Sequence, residues 1–93
     1  MFSCVVELFG VPSEVTELAK VEVKLDDSAS LKELVREIRR KIPGLIGEVI
    51  SPGKDTLTEA YAFNINGEFQ HDDKDVKLHD SDRVAIILLT TGG

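Results

Sequence analysis

The residue types best suited to chemistry lie at the far end of the sequence, where Thr90-Thr91 is followed by Gly92-Gly93. With seven glycines in the chain, chance would put two at the last two positions in about one sequence in two hundred. Glycine has no side chain to shield its carbonyl carbon, and it adopts backbone angles closed to other residues. A diglycine end therefore suits an acyl group that must pass through a narrow channel, against the plainer reading of a frayed terminus. If the folded body stops near Leu89, the four residues beyond it reach at most about 13–14 Å, enough to enter another protein's pocket.

Other reactive side chains make weaker cases. Cys4 is the only cysteine, which excludes an intrachain disulfide, a four-cysteine zinc site and an iron–sulfur cluster. It falls on the apolar side of a strand pattern, where a thiol acts as a small hydrophobe. His71 and His79 match no standard zinc spacing, so no metal site is expected. Asp72, Asp73 and Asp75 read as a solvated acidic face, with docking as the alternative. Lys54 reads as an ordinary exposed lysine, although it could accept an isopeptide bond.

The elements that must position the tail are legible from periodicity. Cys4, Val6 and Leu8 alternate from Ser3 to Phe9, and the pattern breaks at Gly10-Val11-Pro12-Ser13. A second alternation places Ala19, Val21, Val23 and Leu25 on one side, which predicts a half-buried strand forming a hairpin with the first. Ser30 and Glu33 form an S-x-x-E capping box. Leu31, Leu34, Val35, Ile38 and Ile42 then make one helical stripe, with Asp26 and Asp27 near its positive end and Arg39, Arg40 and Lys41 near its negative end. Pro43-Gly44 stops that helix.

Residues 45–59 show no sustained period and predict a long loop with at most one short helical turn. Tyr61, Phe63 and Ile65 alternate up to Asn66-Gly67, a dipeptide that accepts the positive φ angles of a type I′ turn, and Glu68 to Gln70 is a short return strand. The stretch from His71 to Arg83 is polar apart from Val76 and Leu78, and it ends in the turn Asp80-Ser81-Asp82. Val84 to Leu89 are six apolar residues in succession, which predicts a strand that is central or buried on both faces. The order is strand, strand, helix, strand, short strand, strand, consistent with a helix lying across one mixed sheet.

Composition narrows the partners. Eleven basic residues against 17 acidic ones give a formal charge of −6, the wrong sign for binding nucleic acid or an anionic membrane and the right one for a basic protein surface. No apolar run approaches the roughly 18 residues of a membrane span, and the first residues carry no basic leader, so a cytoplasmic protein is expected.

This order, the Asn66-Gly67 hairpin, the run Leu78-His79-Asp80-Ser81-Asp82-Arg83-Val84 and the terminal Gly92-Gly93 resemble the ubiquitin-like sulfur carriers, among them the molybdopterin synthase small subunit and the thiamine sulfur carrier. Leu88-Leu89-Thr90-Thr91 departs from the proline-containing segment usual before the glycines of the small subunit. The loop from Gly44 to Glu59 is longer than that of the thiamine carrier, so the length fits molybdopterin-type carriers or the related small protein modifiers better.

The resemblance implies an α+β, ubiquitin-like β-grasp fold, a mixed sheet of about five strands with one main helix across it, as a domain over 1–89 with a flexible tail over 90–93. It implies a carrier rather than an enzyme, with no catalytic residue and no bound cofactor. Gly93 would be the attachment point, with Thr90, Thr91 and Gly92 as its tail. A carboxylate is a poor electrophile, so Gly93 would first be adenylated by a partner resembling the ubiquitin-activating enzyme, which uses ATP. Sulfur from a donor protein would then give a thiocarboxylate, for use in molybdopterin synthesis with a larger catalytic subunit. The alternatives are a protein modifier joined through Gly93 to lysines, or a β-grasp binding module that ignores the tail. Docking is implied on the exposed sheet face, with Phe63, Phe69, Ile87 and Leu89 as candidate contacts.

Overall fold

The computed structural model describes residues 1–70 and 76–89. Strand β1, Phe2–Phe9, buries Phe2, Cys4, Val6 and Leu8 and turns the intervening residues outward. Strand β2, Lys20–Leu25, pairs with it antiparallel from Phe2↔Leu25 to Glu7↔Lys20 and buries Val21, Val23 and Leu25. Helix α1 spans Leu31–Lys41, and the Ser30 hydroxyl caps it by accepting the Glu33 N–H at 3.3 Å. Such a cap contributes about 1 kcal/mol. Leu31, Leu34, Val35 and Ile38 are fully buried, each adding about 1.5–3 kcal/mol of apolar burial against the sheet.

Strands β3 (Tyr61–Ile65), β4 (Glu68–Gln70) and β5 (Val84–Leu88) complete a five-stranded sheet of order β2-β1-β5-β3-β4. The β1 and β5 strands run parallel, and the other pairs are antiparallel. β5 is central, as its six-residue apolar run predicts, but it is not buried on both faces. Val84 and Ile86 are buried against the helix side, whereas Ala85 and Ile87 are only half-buried. One helix can cover only one face of the sheet, which leaves the other face of β5 open.

The long segment after the helix is more ordered than its lack of periodicity predicts. A single 3-10 turn, Pro43–Leu45, starts it, and Leu45, Val49, Ile50 and Leu57 are buried in the core. Backbone bonds from Ser51 N–H to Thr56 O at 2.9 Å and from Thr58 N–H to Val49 O at 2.8 Å fold the segment on itself. Asp55 ties it to the helix, accepting from Arg36 Nε and Arg39 Nη2, both at 2.7 Å. The Arg36 hydrogen bond in particular holds the Asp55 carboxyl below its usual range, against the opposing effect of burial and with further help from Arg39.

Gly10, just past β1, sits against the end of β5. Its φ is +84°, and a Cβ there would lie 2.6 Å from Leu88 Cβ, an atom fixed to the backbone. The left-handed angle costs a larger residue about 1–2 kcal/mol and the overlap about 1–3 kcal/mol. Gly10→Ala is therefore expected to lower stability by about 2–5 kcal/mol, read as a drop in the urea midpoint at constant slope. An unchanged midpoint would mean that β1 and β5 do not approach this closely. Among the described residues no helix is long and apolar enough to cross a membrane.

Candidate functional site

The open face of the sheet is defined by strand register. Phe9 pairs with Ile87 and Ile87 with Ala62, giving an apolar row across β1, β5 and β3. One step along, Glu7, Ala85, Asn64 and Phe69 form the next row across β1, β5, β3 and β4. Phe69 is 59% exposed, Phe9 48%, Val5 44% and Leu89 39%, large values for apolar side chains in or beside a sheet. Leu89 extends the β5 ladder by one bond, from its N–H to Ala60 O at 2.7 Å. An open groove of about 310 Å³ lies beside it, lined among others by Thr58, Tyr61, Gln70 and Leu89. The strand leading to the tail thus leaves the fold at the edge of an exposed apolar surface.

Of the four candidate contacts, Phe69, Ile87 and Leu89 lie on or beside this face, and Phe63 does not. Phe63 is fully buried, on the helix side of β3 with Tyr61 and Ile65. A two-residue period sends all three to one face, and the helix covers that face. Phe9 and Val5 are exposed on this face instead and are missing from the expected contacts. The available signal was that β1 carries apolar residues at both parities, one set more than a single buried face requires.

Two sequence landmarks prove to touch each other. Asn66 (φ 54°) and Gly67 (φ 89°) form the turn between β3 and β4 with the positive angles expected. The Asn66 side chain reaches the turn before β5: Nδ2 donates to Asp82 Oδ1 at 3.0 Å, and Oδ1 accepts the Arg83 N–H at 2.9 Å. The backbone adds a bond from the Asn66 N–H to Arg83 O at 2.8 Å. Asp82 also accepts the His79 N–H at 2.8 Å, closing its own turn. Partial burial works against ionising Asp82, but the Asn66 amide, the His79 N–H and the His79 ring outweigh it and hold the carboxyl below its usual range. Leu78 is fully buried and its N–H donates to Ala29 O at 2.8 Å, so the same run is anchored at its other end beside the helix start. These contacts fix where β5 begins, and with it where the chain leaves the sheet.

The remaining candidates are structural or lie outside the described residues. Cys4 is buried in the core. Burial, and secondarily the Asp82 charge, push its thiol up to about 11. Folded protein is accordingly expected to resist alkylation at neutral pH and to react once unfolded. The stability this protonated thiol provides is complete below the unfolded value of about 8.5 and is lost as pH rises through about 11, which urea titrations across that window would register. Ser30 is the helix cap, and the Lys54 carbonyl accepts from Arg39 Nη1 at 3.1 Å. Among the described residues no group of three or more His, Cys, Asp or Glu side chains could hold a metal ion. His71, Asp72, Asp73 and Asp75, and the tail Thr90, Thr91, Gly92 and Gly93, lie outside the described residues.

Comparison with known proteins agrees with this architecture. A crystal structure of small archaeal modifier protein 1 from Haloferax volcanii is similar with a TM-score of 0.80 at 22% identity, over 98% of this chain and 99% of that one. A second crystal structure of that protein gives 0.80 at 19% identity, over 97% and 100% of the two chains. A Pyrococcus furiosus protein described as molybdopterin converting factor subunit 1 gives 0.69 at 18% identity, again over 97% and 100%. At these identities the likeness shows a shared fold, the ubiquitin-like β-grasp. A search of curated proteins gives no match. The family model that does match covers residues 6–93, from within β1 through the diglycine, and by that match the chain belongs to the ThiS family.

Proposed function

We propose that this chain is a sulfur carrier whose working group is the Gly93 carboxylate. Small proteins of the ThiS family are carriers and not catalysts, so the ATP chemistry belongs to a partner. In this reading an adenylyltransferase resembling the ubiquitin-activating enzyme docks on the open sheet face and takes the tail into its pocket. The Gly93 carboxylate attacks the α-phosphate of ATP, pyrophosphate leaves, and the resulting acyl adenylate is the electrophile that the free carboxylate is not. A sulfur nucleophile supplied by a donor protein then displaces AMP and leaves a thiocarboxylate. The most specific form of the proposal places that sulfur in molybdopterin synthesis, delivered inside a complex with a larger catalytic subunit.

The observation that carries the reading is the family match running unbroken from β1 through Gly93. The apolar row of exposed Phe9 with half-buried Ile87 and Ala62 supports it by offering a docking surface on the strand that leads to the tail. The net charge of −6 favours a partner with a basic rim. Incubation with the cognate activating enzyme, ATP and a sulfur donor is expected to raise the intact mass by the oxygen-to-sulfur difference, about 16 Da. An unchanged mass under conditions that convert a known carrier would sink the proposal.

A second reading, conjugation through Gly93 to lysines of other proteins, is favoured by the higher structural similarity to small archaeal modifier protein 1. It predicts adducts that survive boiling and reductant, because an isopeptide bond does and a thioester does not.

A further inference from the structure

Asn66-Gly67 carries a reactivity that the carrier reading does not use. A backbone amide nitrogen following asparagine can attack the side-chain Cγ, and glycine at that position leaves the nitrogen uncrowded. Here nothing lies within 4 Å of where a Gly67 Cβ would be, and both residues are exposed. Reaction nevertheless requires Asn66 Cγ to move onto the Gly67 nitrogen, and its amide is tied at both ends by hydrogen bonds to another turn. Its oxygen accepts the Arg83 N–H at 2.9 Å and its nitrogen donates to Asp82 at 3.0 Å. The turn before β5 thus grips both ends of the group that would have to move.

We propose that Asn66 is a deamidation site gated by its clamp to Asp82 and Arg83. When the clamp opens, the Gly67 nitrogen bonds to Asn66 Cγ, and the Cγ–Nδ2 bond breaks. Ammonia leaves with the proton given up by Gly67. Water then opens the succinimide at either carbonyl, giving aspartate or isoaspartate, and no oxidant or reductant is needed. The product sets a carboxylate against the Asp82 carboxylate where an N–H···O bond stood, and like charges at that distance repel. Reclosure is therefore opposed, and the chemistry makes a permanent record of a transient opening at the start of β5. Because the gated group lies at the β3–β4 turn and not on the tail, this inference stands independently of the carrier reading.

The test is peptide mass spectrometry of the full chain held in mildly alkaline buffer. Reaction proceeds from the open population, so its rate follows the clamp equilibrium. Asp82→Ala removes a hydrogen bond to a charged group and is expected to speed deamidation at residue 66 about tenfold. Gly67→Ala, whose Cβ would meet no neighbouring atom, is expected to suppress it by crowding the attacking nitrogen, even though the φ of +89° strains an alanine there by about 1–2 kcal/mol and loosens the turn. Asn66→Asp is expected to melt lower than the parent near neutral pH, with the gap narrowing as acid protonates the paired carboxylates. To separate the clamp from general loosening, Ile38→Val lowers stability from the core without touching the turn, and its rate should stay near the parent's. An Asp82→Ala rate equal to the parent's would overturn the proposal, and so would equal acceleration by Ile38→Val at matched stability.

Discussion

Deleting Gly92 and Gly93 is expected to leave a protein that melts like the full chain but no longer accepts sulfur. Among the described residues the buried core runs from Phe2 to Ile86, and a glycine has no side chain to bury, so the stability change should stay within about 0.5 kcal/mol. The shortened chain still ends in a carboxylate, now on Thr91. That carboxylate reaches about 7 Å less far, and a β-branched side chain crowds it. Misplacement of a reacting group by about 1 Å can cost about a hundredfold in rate, so conversion should fall by at least that factor. Intact-mass measurement beside a thermal melt reads both halves of the expectation. Sulfur incorporation at the parent rate by the truncated chain would remove Gly93 from its assigned role.

Replacing Phe63 and Phe69 separately is expected to split stability from docking. Phe63 is completely buried under the helix, and truncating such a ring costs about 3–5 kcal/mol, a large share of the about 5–15 kcal/mol that holds a domain together. At roughly 4–8 °C per kcal/mol for a domain of this size, Phe63→Ala should melt at least about 12 °C lower. Phe69 stands 59% exposed, and Phe69→Ala should leave the melt nearly unchanged while weakening the activating partner. Calorimetry and titration with that partner separate the two effects. A Phe63→Ala protein as stable as the parent would contradict the burial described for β3.

The fate of these two rings shows where sequence reasoning reached and where it stopped. Alternation placed Tyr61, Phe63 and Ile65 together on one side of β3, and the structure keeps them together. Which side the helix covers is a tertiary choice that a two-residue period does not encode, so Phe63, a docking candidate only through the resemblance, is a core residue. Local signals fared better: Ser30 with Glu33 gave the helix start, and Asn66-Gly67 gave the turn. The apolar run Val84 to Leu89 gave the central strand, although its second face stays open because a single helix has no counterpart there. Residues 45–59 were opaque because Leu45, Val49, Ile50 and Leu57 enter the core at irregular intervals, and because Asp55 is positioned by Arg36 and Arg39, 19 and 16 residues away. The link from Asn66 to Asp82 spans 16 residues and was equally hidden, although each end was conspicuous by itself.

The parallel pairing of β1 with β5 joins the first strand to the last one described. During synthesis the middle of the sheet is therefore empty until Val84–Leu88 has left the ribosome, and β1 and β3 wait with unsatisfied edges. A chain that stops short of this point lacks its central strand and stays open to proteolysis. Until that strand arrives the β1 and β3 edges are open to mispairing, so the parallel β1–β5 ladder makes completion of the sheet the last step in building this fold.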